Sequence, residues 1–186
     1  MTTIFGLSGS LRAASFNAGL LRAAAEVAPD GTDVIVGTIR GVPLYDGDAE
    51  AATGIPADVL WLKDQLAAAD ALLLVTPEYN NGIPGVFKNA IDWMTRPASD
   101  ISGLFGGKPV AVIGASPGGF GTILSQNHWL PVLRTLGTEP WFGGRILVSR
   151  VGTLFDEKGN LTDDATRESL RKFLAGFVSF VSAERP

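Results

Sequence analysis

None of the 186 residues is cysteine. That excludes disulfides, thiolate nucleophiles, CxxC redox pairs and cysteine-ligated iron–sulfur clusters. Histidine occurs once, as His128, which excludes a histidine-rich metal site. A carboxylate site for Mg²⁺ or Ca²⁺ stays open in principle, but no EF-hand-like run of acids is present and no metal ligand is assigned. Redox chemistry would then need a bound organic cofactor, or a metal held by other ligands. Apolar runs are far shorter than the roughly 20 residues that span a bilayer. The N-terminus, M-T-T-I-F-G-L-S, lacks the basic region and long apolar core of a signal peptide. The expected location is therefore cytoplasmic, without a membrane partner. The net charge of −4 offers none of the basic excess that nucleic-acid binding needs.

What is present fits a globular chain. Apolar residues make up 46% and charged residues 18%, a balance that buries a core rather than staying disordered. The length suits one domain over residues 1–186.

Short apolar runs alternate with helical patterns. Thr3–Leu7 reads as a first strand, and residues 16–28 as a helix with Leu20, Leu21, Ala24 and Ala25 on one face. Asp33–Thr38 reads as a second strand, followed by a loop over Val42–Asp48 and a helix over 56–69 opened by Pro56. Ala71–Thr76 is a continuous apolar run, as expected of a strand buried on both faces. A helix follows from Pro84 to Met94, then a fourth strand over Val110–Ala115 and a helix over 120–136. Arg145–Ser149 reads as the fifth strand. The last helix, over 163–183, carries Leu170, Phe173, Leu174, Phe177 and Val181 on one face. Strands alternating with helices imply an α/β fold with a parallel sheet covered on both sides. Ligands in such sheets sit beyond the carboxyl ends of the strands.

Three loops fall at that edge. Gly9–Asn17 combines Ser10, Ser15 and Asn17 with the guanidinium of Arg12 at a helix N-terminus. Unpaired N–H groups, the helix dipole and a cation are what a phosphate monoester requires. The loop lacks the G-K-[ST] ending of a P-loop and the G-x-G-x-x-G of dinucleotide folds. Thr76–Gly85 and Ala115–Thr122 are rich in glycine and proline. Glycine lets backbone approach a flat ring closely. The alternative for each loop is an ordinary capped turn.

The stretches G-S-L-R-A-A-S-F-N at 9–17, P-E-Y-N-N-G-I-P-G-V-F-K-N-A-I-D-W at 77–93 and G-A-S-P-G-G-F-G-T at 114–122 resemble the NADPH-dependent FMN reductases, in their chromate/quinone reductase and azoreductase branch. V-P-L-Y-D at 42–46 is similar as well. The resemblance implies a flavodoxin-like three-layer sandwich with a five-stranded parallel sheet in the order 2-1-3-4-5. It implies FMN as cofactor, with NADPH or NADH as electron donor. Ser10, Arg12, Ser15 and Asn17 would hold the FMN phosphate. Pro77, Glu78, Tyr79 and Asn80 would border the isoalloxazine, and Ser116, Gly118 and Gly119 would line its pyrimidine side. Hydride would pass through flavin N5 to small acceptors such as quinones, azo compounds, chromate or free flavin. The protein binds and orients the flavin, and no side chain is assigned a catalytic role. A homodimer or homotetramer is implied.

Two other functions fit the same residues. One is a flavodoxin-type electron carrier; the other is a flavin-based redox sensor without fast NAD(P)H turnover. His128, beside Trp129, is expected to be structural or interfacial. Glu78 and Asp92 are read as helix-end or salt-bridge carboxylates, and Lys88 as solvated. Trp93, Trp129 and Trp141 are read as core or interface aromatics.

Overall fold

The computed structural model describes residues 1–183. The first strand, β1 (Thr2–Ser8), lies at the centre of the fold. It pairs in parallel with β2 (Thr32–Thr38) on one side and β3 (Ala71–Val75) on the other. β4 (Pro109–Ala115) extends the ladder from β3. The order is β2-β1-β3-β4-β5, as expected for a flavodoxin-like sheet. Every residue of β3 is buried, because helices cover both faces there.

Side chains alternate across the sheet, so each strand feeds two cores. Ile4, Leu73 and Ile113 face α1 (Phe16–Glu26) and α7 (Asp164–Ala183). Phe5, Leu72, Leu74 and Val110 face the other layer. That layer holds α3 (Ala57–Ala68), α4 (Gly85–Met94) and α6 (Ile123–Leu136). All five apolar residues anticipated on one face of α7 are buried. Trp93 is buried, Trp129 is buried in the second core, and Trp141 packs edge-on against Phe173 of α7. Among the described residues, no helix is long and apolar enough to cross a membrane.

The fifth strand differs from expectation. Arg145–Ser149 does not form one continuous strand. Two stubs share the position, β5 (Glu139–Pro140) and β6 (Leu147–Val148), and both pair with β4. Pro140 has no N–H to continue the ladder. The chain then leaves the sheet as Trp141 turns onto Phe173 and Phe177. A Cβ at Gly143 or Gly144 would stand 2.6 or 2.9 Å from the Trp141 ring, so this detour requires glycine. Arg145 is exposed outside the ladder.

Other boundaries move for local reasons. The loop expected over Val42–Asp48 ends in a short helix, α2 (Gly47–Thr53), because the Asp46 carboxylate accepts from the Asp48 N–H and caps it. Pro56 and Pro84 stand at the caps of α3 and α4 rather than inside them. Residues 120–122 stay in the loop ahead of α6. A short helix, α5 (Ile101–Phe105), fills the connection to β4.

Candidate functional site

The first loop is tied to its neighbours by its own side chains. Buried Ser15 caps α1, its hydroxyl accepting from the Ala18 N–H at 3.2 Å. Asn17 reaches across the sheet edge to the end of β4. Its amide donates to the Ala115 carbonyl at 2.8 Å, and its oxygen accepts from the Ala115 N–H at 2.9 Å. Gly9 donates to the Val75 carbonyl at 3.0 Å. A Cβ there would stand 2.2 Å from the Phe87 ring, so only glycine lets the loop cross α4. Arg12 remains exposed, 5.7 Å over the Phe16 ring. Among the described residues it has no carboxylate partner. An exposed, unpaired guanidinium beside a helix N-terminus is available to an anion.

The second loop hangs on a buried hydroxyl. Thr76 Oγ1 donates to the Pro77 carbonyl at 2.9 Å, meets Ser125 Oγ at 2.8 Å and accepts from Trp129 Nε1 at 3.1 Å. The Glu78 carboxylate accepts from the N–H groups of Leu124 and Ser125 at 2.9 and 3.1 Å. It thereby supplies the cap that Thr122, at the N-cap position, does not. Beyond it the chain folds into a tight turn. Tyr79 and Gly82 exchange two backbone hydrogen bonds, and Asn80 and Asn81 between them have φ of +50° and +64°. Paired left-handed residues are the geometry of a type I′ hairpin turn, which asparagine tolerates. Tyr79, Asn80 and Asn81 are left exposed.

The third loop is shaped by glycine. At Gly114 a Cβ would stand 2.2 Å from both Thr122 Oγ1 and the Thr76 carbonyl oxygen, so the second and third loops touch only because none is there. The Gly118 N–H donates to Ser116 Oγ at 3.1 Å, and the Arg150 N–H to the Gly118 carbonyl at 3.1 Å. Gly118, Gly119 and Phe120 are exposed.

These pieces meet in one cleft of about 60 Å³. Of the anticipated residues, Ser10, Arg12, Ser15, Asn17, Pro77, Glu78, Tyr79 and Ser116 line it. Asn80, Gly118 and Gly119 lie outside it on the exposed rim. The volume is on the scale of a phosphate group, so a three-ring heterocycle would lie along that rim. The donor set fits the phosphate end of FMN, since a cation, two hydroxyls and a helix N-terminus converge and Glu78, its one carboxylate, is already bonded to α6.

Glu78 is the helix-end carboxylate that its sequence context suggests, but that the helix it caps is α6 was not anticipated. Thr76 and Ser125 also hold the second loop, yet no local motif marks them. Only the Ser125–Trp129 spacing of four, which puts both on one helix face, hinted at them. His128 is exposed, with its Nδ1 3.7 Å from where a Gly82 Cβ would stand. Lys88 is half-exposed and paired with Asp92 at 2.6 Å.

A cation-lined cleft at the carboxyl edge of a 2-1-3-4-5 sheet defines a flavodoxin-like nucleotide-binding protein. Residues 2–151 match the NADPH-dependent FMN reductase family. The chain is 42% identical to the NAD(P)H-dependent FMN reductase PA1204 of Pseudomonas aeruginosa, over 96% of this chain and 94% of that protein. It is 37% identical to a 2-hydroxy-1,4-benzoquinone reductase of a Burkholderia species, over 95% and 94%. FerB, an NAD(P)H:(acceptor) oxidoreductase from Paracoccus denitrificans, superimposes with a TM-score of 0.85 at 34% identity, covering 99% of each chain. The chain belongs to the NADPH-dependent FMN reductase family. It is thus an oxidoreductase that works with FMN and a reduced nicotinamide nucleotide.

Proposed function

We propose that this protein passes electrons from NADPH or NADH, by way of FMN, to quinones, with azo compounds, chromate and free flavin as further acceptors. One observation carries the reading: a single cleft joins a cationic phosphate end to an exposed, glycine-bordered rim. Two relatives support the acceptor class, the Burkholderia benzoquinone reductase and a quinone reductase of Escherichia coli that is 35% identical.

FMN, when bound, supplies hydride acceptance and donation at its ring N5. Ser10, Arg12 and Ser15 would hold its phosphate, and Asn17, bonded to Ala115, keeps their loop against β4. Pro77, Glu78, Tyr79 and Asn80 would border the ring, and Ser116, Gly118 and Gly119 would line its pyrimidine side. No side-chain base is needed, so the chain's work is binding and orientation. Phe120 and Phe142 are 82% and 73% exposed. Large exposed apolar side chains favour burial against a partner, which supports a homodimer or homotetramer. The remaining reading is one domain, cytoplasmic, without a nucleic-acid partner.

The test is an absorbance titration of the purified protein. Flavin bands that bleach with NADPH and return with a quinone over many turnovers are expected. Bound FMN that NADPH leaves oxidised would instead favour an electron carrier. Failure to bind FMN at all would overturn the assignment of the three loops.

A further inference from the structure

We propose that the groove between β2 and the first turns of α1 is a second phosphate site, which takes the 2′-phosphate of the nicotinamide nucleotide. The inference rests on the donor assignment of the proposed function.

The groove holds about 240 Å³. Ser8, the last residue of β1, lines it. That serine is 5% exposed, and its Oγ has no hydrogen-bond partner among the described residues. Its side chain points to the same face as Gly6, which is packed against Leu21 of α1. A buried hydroxyl without a partner is costly unless something else satisfies it.

The surroundings indicate an anion. Arg12, Arg22 and Arg40 all line the groove, and among the described residues no carboxylate does. Arg40 donates from Nη2 to the Leu11 carbonyl at 2.6 Å, which braces it across the first loop. Arg22 is held by the Gly159 carbonyl and Asn160 Oδ1 at 3.2 and 2.8 Å. Each guanidinium has five N–H donors, so these bonds leave others free. Arg22 and Arg40, two braced cations, suit the two negative charges of a phosphate monoester, while Arg12 lines both this groove and the cleft assigned to the FMN phosphate.

This is not the cleft assigned to the FMN phosphate. The two share only Ser10 and Arg12 of the first loop. Ser8, Val36, Thr38 and Arg40 line the groove and not the cleft. Val36, Leu21 and Ala18 add an apolar wall of the kind a ribose or purine covers. NADH carries a neutral hydroxyl where NADPH carries the 2′-phosphate, so the groove distinguishes the two donors.

The test is calorimetric titration of the FMN-loaded protein with 2′,5′-ADP, 5′-ADP and inorganic phosphate. The wild type is expected to bind 2′,5′-ADP about tenfold or more tightly than 5′-ADP, as a charge-assisted contact gives. Arg40→Gln should remove that preference and raise the KM for NADPH about tenfold relative to that for NADH. Ser8→Ala should weaken 2′,5′-ADP several-fold while leaving the unfolding temperature of the free protein unchanged or higher, because it deletes an unpaired hydroxyl. Inorganic phosphate that binds with Arg40 dependence, while the two nucleotides bind alike, would keep the anion site but assign it to free phosphate. Binding of all three ligands that ignores both substitutions would overturn the site. The nucleotide titrations need no turnover, so they can fail while the reductase assay succeeds, and the reverse.

Discussion

The cleft, proposed as the phosphate end of the site, and its outer rim, proposed as the ring end, are built differently. At the phosphate end, Ser15 and Asn17 are buried and bonded to backbone at both ends of their reach. At the ring end, Tyr79, Asn80, Gly118, Gly119 and Phe120 are exposed, in turns that mostly bond to themselves. A phosphate needs a few donors at fixed positions, and one chain can fix them. A flat ring that must accept varied partners needs an accessible face. On the proposed placement of FMN, the phosphate end would govern cofactor retention and the ring end the approach of acceptors.

Breaking the phosphate end should have the larger effects. Asn17→Ala removes both bonds to Ala115 and leaves a buried N–H and carbonyl unpaired. The expected loss is about 3 kcal/mol of unfolding free energy, at about 1–3 kcal/mol per orphaned group, read by urea denaturation. A loss below about 1 kcal/mol would show that water replaces the carboxamide and that the end is not rigid. Arg12→Ala leaves the fold alone but removes the free cation. FMN should bind about 1.5–3 kcal/mol more weakly, as for a charge-assisted hydrogen bond. Unchanged FMN affinity by fluorescence titration would remove Arg12 from the phosphate site.

The ring end should yield less. Glu78→Ala leaves the first N–H groups of α6 without their acceptor, at a cost near 1 kcal/mol, as for a lost helix cap. Glu78→Gln keeps an oxygen in place and should recover most of that in thermal unfolding. Equal losses for both variants would mean that charge, rather than capping, holds the second loop.

The comparison also separates what the sequence discloses from what it conceals. Continuous apolar runs such as 71–76 announce a strand covered on both faces, and the alternation of elements then dictates the sheet. The fifth strand was only half legible: Leu147–Val148 lie inside the stretch read as a strand, whereas two residues at 139–140 carry no periodicity. The start of α2 was readable in principle, since Asp46-Gly47-Asp48 can cap a helix as well as form a turn. The three loops were legible as glycine-rich, polar strand ends. The partners of Asn17 and Glu78 were not, because they lie 98 and 46 positions away, although Glu78 is legible as a helix-end carboxylate. Ser8 reads as an ordinary strand end until its burial is seen.

The smallest effect concerns the brace behind the ring end. The segment before and within α2 is pinned to α4, the helix that follows the second loop. Trp93 Nε1 donates to the Pro43 carbonyl at 2.9 Å, and Asn89 bonds both Pro43 and Tyr45. Glu50 completes the brace: it accepts from Arg96 Nε at 2.9 Å and from the Tyr45 hydroxyl at 3.0 Å. The hydrogen bond from Arg96 is the main reason the Glu50 carboxyl titrates below its ordinary value of 4.5. Being depressed in the fold, this group stabilises the brace above that value, and the contribution disappears as pH falls through the lowered one. Trp93 reports on it, since the Tyr45 ring stands edge-on at 4.9 Å. Acidification below pH 4.5 should shift Trp93 fluorescence before the sheet unfolds, and Glu50→Gln should abolish that early step. An identical acid transition in Glu50→Gln would show that the brace does not depend on the charge of Glu50. The ring end would then be supported by the Asn89 and Trp93 contacts alone.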